Sequence, residues 1–318
     1  MKRGIWITWE RQRRNTGISS ALGWPLHEMI DDSPRLIRYG RLIIKTIGVL
    51  LRERPDIVCV QNPSIVLALL GILCRGIMGY RCIVDAHNSG LMPLEGRSET
   101  LLKIARWIQR RADLTIVTNE EMKALVETNG GKATILPDRI PEVPPVEPMT
   151  VRSRRIVTYI CTFSEDEPYQ EVIKAAGLLE KGTVVYITGN HRDRIDTGSI
   201  PSTVKLTGFI NEDAYWSLLS SSDAAMVLTI REGCLVCGAY ETVAVGRPLI
   251  VSDTKALRSY FSRGCIYVTP DSRSIARGIR EALERKDELI AEIRRLHGAL
   301  DRSWGNIFSA FQEEIQRL

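Results

Sequence analysis

Short apolar runs alternating with longer stretches of helical period dominate this chain, and no other feature restricts its fold as much. Before residue 140 the runs are GIWITW (4–9), PDIVCVQN (55–62), YRCIVDAHN (80–88), ADLTIVTN (112–119) and ATILPD (133–138). Each holds an Ile- and Val-rich core and closes on polar or turn residues, the pattern of parallel strands buried on both faces. The intervals have helical period. In SETLLKIARWIQRRAD the apolar positions are Leu101, Leu102, Ile104, Ala105 and Ile108, and TNEE (118–121) predicts a capping box opening the next helix. Strand and helix in alternation predict a doubly wound α/β sheet.

The pattern stops at PDRIPEVPPVEPMTVRSRR (137–155), where five prolines stand in a stretch with neither period. It then restarts with RIVTYICTF (155–163), VVYITGN (184–190), VKLTGF (204–209), DAAMVLTI (223–230), RPLIVSD (247–253) and GCIYVTP (264–270). The expected organisation is a first domain over 1–140, a proline-rich linker over 141–153, a second domain over 154–300 and a terminal segment over 301–318.

The formal net charge of +5 lies wholly before residue 151, with 21 Lys and Arg against 16 Asp and Glu up to that point and 22 of each after it. A basic first half suits an anionic partner. No helix-turn-helix, zinc or RNA-binding signature accompanies the charge, so nucleic acid is not the expected partner. Charged residues follow directly on residues 5–9, unlike a secretory signal, and a cytoplasmic location is expected. The most apolar stretch, PSIVLALLGILC (63–74), is too short to cross a bilayer, which takes about 20 residues. The seven cysteines are an odd number, mostly scattered singly in apolar runs, and read as packing residues.

Ligands of doubly wound sheets sit outside the carboxyl ends of the strands. In the first half those ends carry Glu10 and the loop RQRRNTGISS, then Gln61 and Asn62, then Asp85, His87 and Asn88. In the second half they carry Thr162, Ser164, Gly189, Asn190, Gly208 and Phe209. His87, directly after a strand, is placed to act as a base near neutral pH or to be a structural histidine bonding nearby backbone. In REGCLVCGAYETVAVGRPLIVSD (231–253) the pair Cys234 and Cys237 lacks two further ligands for a metal. A small-residue loop entering a helix favours a phosphate, and Glu241 on that helix can accept bonds from vicinal hydroxyls such as those of a ribose.

At ETVAVGRPLIVSD the chain resembles GT-B glycosyltransferases of the family 4 type. VQNPS (60–64), VDAHN (84–88) and CTFSEDEP (161–168) are similar to phrases of the β-mannosyltransferase acting on chitobiosyl diphospho-dolichol. The resemblance implies a GT-B fold, two Rossmann-like domains facing a central cleft, with Glu241 on the ribose and the last helix returning to the first domain. Two departures stand out. Glu232 lies nine positions before Glu241 where the family has eight, and Glu165, Asp166 and Glu167 replace the family's basic loop.

The expected activity is transfer of a hexose from a GDP- or UDP-linked sugar to a lipid-linked or polysaccharide acceptor, without a bound metal or other cofactor. The protein is expected to be cytoplasmic, with peripheral association on the inner face of an anionic membrane through Arg11, Arg13 and Arg14. Donor contacts are expected from Thr16, Gly17, Thr162, Gly189, Asn190, Gly208, Phe209, Glu232, Gly233, Cys234, Leu235 and Glu241. Arg11, Asn62 and Asn88 are expected on the acceptor, and His87 as the catalytic residue. A non-catalytic sugar-nucleotide or partner-binding subunit and a GT-B epimerase are the alternatives.

Overall fold

The computed structural model describes residues 2–147, 149, 155–192, 194–196, 198 and 200–318. Residues 148 and 150–153 of the expected linker lie outside the described residues. The chain divides into two compact units, the first running to Arg139 and adding Ser303–Leu318, the second covering Ile140–Arg302.

The first unit holds β1 (Gly4–Thr8), α1 (Arg13–Leu22), β2 (Leu26–Glu28), α2 (Arg35–Glu53), β3 (Ile57–Asn62) and α3 (Ile65–Met78). It continues with β4 (Arg81–Ala86), α4 (Asn88–Leu91), α5 (Glu99–Arg111), β5 (Leu114–Val117), α6 (Glu120–Thr128) and β6 (Ala133–Ile135). The strands pair in parallel in the order β2-β1-β3-β4-β5-β6. Every residue of β1, β3 and β5 is buried, as the unbroken apolar runs require. Leu42 and Leu50 of α2, Leu67 and Ala68 of α3 and Ile108 of α5 cover one face of the sheet. Ile18 of α1 with Trp304, Phe308 and Phe311 covers the other.

The second unit holds β7 (Arg155–Tyr159), α7 (Tyr169–Ala176), β8 (Thr183–Thr188), β9 (Val204–Gly208), α8 (Glu212–Ser221) and β10 (Ala224–Val227). It continues with α9 (Cys237–Ala244), β11 (Leu249–Ser252), α10 (Lys255–Tyr260), β12 (Cys265–Val268), α11 (Ser272–Glu284) and the start of α12 (Lys286–Arg317). Its sheet, also parallel, has the order β12-β11-β10-β7-β8-β9. The proline-rich stretch packs on this unit: Ile140 lies in its core, and Ser217 Oγ donates to the Glu147 carbonyl at 2.5 Å.

Side-chain caps explain where the helices begin. Ser64 accepts from Leu67 N, Ser98 from Leu101 N, Asn211 from Ala214 N and Asp271 from Ser274 N. Each such cap is worth about 1 kcal/mol. At TNEE the cap is Asn119, accepting from Met122 N at 2.9 Å, rather than Thr118. Asn is the stronger N-cap, so the helix starts one residue later than the box predicts.

The loop expected at RQRRNTGISS is a helix from Arg13 onward. Ile18 is buried and Asn15 Oδ1 accepts from Trp6 Nε1 at 3.1 Å, anchoring α1 to β1. Thr16 and Gly17 therefore sit past the first helical position, where amides are being drawn into the helix ladder. Among the described residues no helix is long and apolar enough to cross a membrane.

Candidate functional site

In each sheet the strand order reverses once, and the crevice at that point is where such folds take ligands. In the first unit the reversal lies between β1 and β3, with β4 next to β3. Thr8, Gln61, Asn62, Asp85 and His87 meet there. The Thr8 hydroxyl donates to Gln61 Oε1, and Gln61 Nε2 donates to Gln12 Oε1 at 2.6 Å and faces His87 Nε2 at 3.2 Å. With its oxygen taken by Thr8, Gln61 offers His87 only an N–H. His87 Nε2 is thus the acceptor, and a neutral ring carries its proton on Nδ1.

The His87 backbone is fixed as well. Its N–H donates to the Asn62 carbonyl at 3.0 Å, and its own carbonyl accepts from Gly90 and Leu91 as α4 begins. The ring is 27% exposed. Burial pulls the imidazolium pKa down, Arg14 adds to that, and Asp85, 3.8 Å away, opposes it; the net position is below the ordinary histidine value. His87 is neutral at pH 7.

Arg14 departs from the expectation of a lipid-facing cation. Its side chain is 3% exposed and grips Asp85 through Nε at 3.0 Å and Nη2 at 2.8 Å. Nη1 meets Asp138, and Nη2 also donates to the Leu136 carbonyl at 2.9 Å. Burial lowers the guanidinium pKa, but the two carboxylates outweigh it and the net shift is upward. Placing Arg14 on the second helical residue turns it inward beneath the sheet ends. Arg11 and Arg13 are exposed.

The second unit's reversal lies between β7 and β10. Beyond β7, Phe163 is buried with φ of 61°, a left-handed conformation uncommon for a bulky residue. That turn points the amides on either side of Phe163 at one carboxylate, while the Phe163 amide donates to Cys161 Sγ. Glu167 accepts from Thr162 N at 2.9 Å, Ser164 N at 2.8 Å and Thr162 Oγ1 at 3.0 Å. Asp166 accepts from Thr229 Oγ1 at 2.8 Å, its carbonyl accepts from Ile230 N, and Arg231 stands 3.5 Å from its carboxylate. Glu167 therefore closes the loop after β7 on itself, and Asp166 ties that loop to the loop after β10.

Gly189 has φ of 98°, and a Cβ there would meet the Cys161 carbonyl at 2.1 Å, so only glycine lets these loops touch. Gly238 similarly lets α9 approach Ile160, which a Cβ would meet at 2.9 Å. Glu232, Gly233, Cys234 and Leu235 form the loop between β10 and α9. All seven cysteines are thiols, and among the described residues no cluster of His, Cys, Asp or Glu is arranged to hold a metal ion. Glu241 is buried on α9, and the Tyr215 hydroxyl of α8 donates to its Oε2.

Thr162, Gly189 and Glu232 to Leu235 thus lie on the loops after β7, β8 and β10, and Glu241 follows on α9. Gly208 and Phe209 lie apart from the crevice: β9 is the outermost strand, with β8 between it and β7, and Phe209 is 89% exposed. In the first unit His87, Asn62 and Asn88 come together at the ends of β3 and β4. Tyr215, Arg231 and the Arg14–Asp85–Asp138 cluster were not legible in the sequence. The only signal for Tyr215 is its place in the helix preceding β10.

The fold is GT-B: two Rossmann-like α/β units, each on a six-stranded parallel sheet. Residues 150–295 match the family described as Glycosyl transferases group 1. Sucrose-phosphate synthase from Thermosynechococcus elongatus superposes with a TM-score of 0.78 at 14% identity, covering 99% of both chains. HepE from Anabaena, in complex with UDP-glucose, superposes with a TM-score of 0.76 at 12% identity, covering 99% of this chain and 100% of that one. No curated protein matches the chain.

Proposed function

We propose that the chain is a glycosyltransferase that moves a hexose from a nucleotide diphosphate sugar, held by the second unit, to an acceptor hydroxyl held by the first. The observation that carries this is Glu241, buried on α9 behind the small-residue loop after β10, within a group 1 domain. The Tyr215 hydroxyl donates to Oε2, which orients the carboxylate that on this reading accepts from the ribose hydroxyls. UDP and GDP carry the same ribose diphosphate, and both stay open as the nucleotide. HepE, of the same fold, is known with UDP-glucose.

In the transfer the acceptor oxygen bonds to the anomeric carbon and the bond to the diphosphate oxygen breaks, its electron pair leaving with the nucleoside diphosphate. The groups at hand for that charge are the amides opening α9, where the N-cap Val236 makes no side-chain cap bond, and the exposed guanidinium of Arg231. The hydroxyl proton passes to His87 Nε2, the unprotonated nitrogen, once the hydroxyl takes the place of the Gln61 N–H. Lipid-linked and polysaccharide acceptors remain the two acceptor classes, with Arg11, Asn62 and Asn88 at that end of the sheet. The likeness to the chitobiosyl-diphosphodolichol β-mannosyltransferase rests on the three sequence phrases alone.

A second reading has one specific support. The amides of Thr162 and Ser164, which could cradle a phosphate, already hold Glu167, as in a binding subunit that no longer transfers. A thermal-shift panel of UDP- and GDP-sugars, followed by transfer assays, separates the two. Stabilisation with turnover supports the transferase; stabilisation without turnover on any acceptor supports the subunit; no stabilisation by any nucleotide sugar sinks both.

A further inference from the structure

Helix α2 has two outward rows that face away from the sheet. Ile37, Ile44 and Leu51, spaced by seven residues, are 53%, 72% and 58% exposed, an apolar ridge along one line of the helix. Beside it runs a second row, Arg38, Arg41, Lys45 and Arg52, at the i+3, i+4 and i+7 spacing of one helical face. The only acid in the helix is its last residue, Glu53, whose Oε1 meets both His27 at 3.1 Å and Arg52 of the basic row at 3.3 Å. The inward face, with Leu42, Thr46 and Leu50, is fully buried on the sheet.

The neighbouring helices of the same layer continue the surface. On α3, Leu73 and Ile77 are 55% and 88% exposed in a helix without a single acid. On α5, Trp107 is 37% exposed among Lys103, Arg106 and Arg110, and Arg111 lies 5.9 Å from its ring. Some of these cations meet acids, Arg41 with Asp31 at 4.0 Å, Arg52 with Glu53 at 3.3 Å and Lys103 with Glu99 at 3.1 Å. Exposed apolar residues scattered singly need no explanation, but ridges on adjacent helices whose cations outnumber their acids do.

We propose that the outer face of α2, continued by α3 and α5, docks on an anionic phospholipid bilayer. Ile37, Ile44 and Leu51 enter the acyl boundary, and the basic row lies at the level of the lipid phosphates, the arrangement of an interfacial amphipathic helix. The charge selects this occupant over a second copy of the chain. A twofold pairing through the ridge sets the basic row of one copy against that of the other, whereas an anionic surface neutralises it. The site is distinct from the Arg11 to Arg14 segment, whose Arg14 is buried. The reading gains its use from a lipid-linked acceptor under the proposed function but does not depend on it.

The full-length protein is tested by flotation with phosphatidylcholine vesicles and with vesicles containing about 30% phosphatidylglycerol. Wild type is expected to float only with the anionic vesicles and to be released as salt rises, because a Debye length of about 8–10 Å screens such contacts. Ile44→Asp should lower the partition at least tenfold, and Arg41→Glu with Lys45→Glu should lower it more than tenfold, each cation being worth roughly fivefold. Arg11→Glu with Arg13→Glu should leave it unchanged. Thermal stabilisation by nucleotide sugars, read on the same variants, is expected to stay at the wild-type level, which shows that they fold and keeps this test separate from the donor assignment. Absence of anionic-vesicle binding, binding insensitive to Ile44→Asp, or a concentration-dependent dimer that Ile44→Asp disrupts would overturn the proposal.

Discussion

Arg14 Nη2 donates to Asp85 Oδ1 at 2.8 Å, with the two side chains 3% and 0% exposed. A buried ion pair adds little over a well-packed apolar pair, but removing one partner strands the other charge at a cost of about 3–5 kcal/mol. Arg14→Met is therefore expected to destabilise the first unit by that amount, since it takes the guanidinium away from buried Asp85 and from Asp138. Arg14→Met with Asp85→Leu should recover a large part of the loss. Chemical unfolding of the three proteins reads this directly, and an unchanged midpoint in the single variant would contradict the pairing.

The same pair sets the charge on His87. Burial and Arg14 hold the imidazolium pKa down while Asp85 pulls it up. Transfer that needs neutral His87 should lose activity on the acid side only below pH ~6.5, the ordinary value. Arg14→Gln removes one of the lowering charges and leaves Asp85, so the acid limb should move upward in pH. For stability the sign follows from proton binding. Between the folded pKa and ~6.5 the unfolded chain binds more protons at this residue, so the fold weakens as pH falls through that window. His87→Gln should remove both the activity limb and that share of the pH dependence; a limb that survives the substitution belongs to another group.

The strands of both sheets were legible because parallel strands buried on both faces must be apolar without interruption. The run GIWITW and the stretch IVCVQN end as β1 and β3 do, on the residues that line the crevice. Only β2 escaped, being three residues long and half-buried, with no apolar run to announce it. The sequence of α1 reads as a loop because Asn15, Thr16, Gly17, Ser19 and Ser20 have poor helical propensity; Ile18 and the Trp6–Asn15 bond override it. The site's long-range pairs, Arg14 with Asp138 and Tyr215 with Glu241, span 124 and 26 residues and leave no local pattern.

Glu241 and Tyr215 make separable predictions. Glu241→Ala removes a charge-assisted acceptor worth about 1.5–3 kcal/mol, so donor affinity should fall roughly ten- to hundredfold. Tyr215→Phe keeps the ring on Trp216, 5.8 Å between centroids, and removes the hydroxyl that donates to Oε2. It should change affinity by less than about tenfold, since the carboxylate remains but is less well oriented. Calorimetry with UDP and GDP measures both. Equal affinity in wild type and Glu241→Ala would remove Glu241 from the donor site.

Glu167 closes the loop after β7 by satisfying the amides of Thr162 and Ser164, and those bonds hold Phe163 in its left-handed conformation. A bulky residue there carries strain of order 1–3 kcal/mol, tolerated only while the surroundings enforce it. The buried Phe163 ring, edge-on to Tyr169 at 5.2 Å, supplies part of that enforcement and the carboxylate the rest. Glu167→Ala should therefore lower stability by about 1–1.5 kcal/mol, the low end for charged bonds because the amides border solvent. Glu167→Gln, which keeps one acceptor oxygen, should lose less. The emptied amides form a small anion cradle, so added phosphate should raise the melting temperature of Glu167→Ala and not that of wild type. If Glu167→Ala melts with wild type and ignores phosphate, the carboxylate is not what shapes this loop.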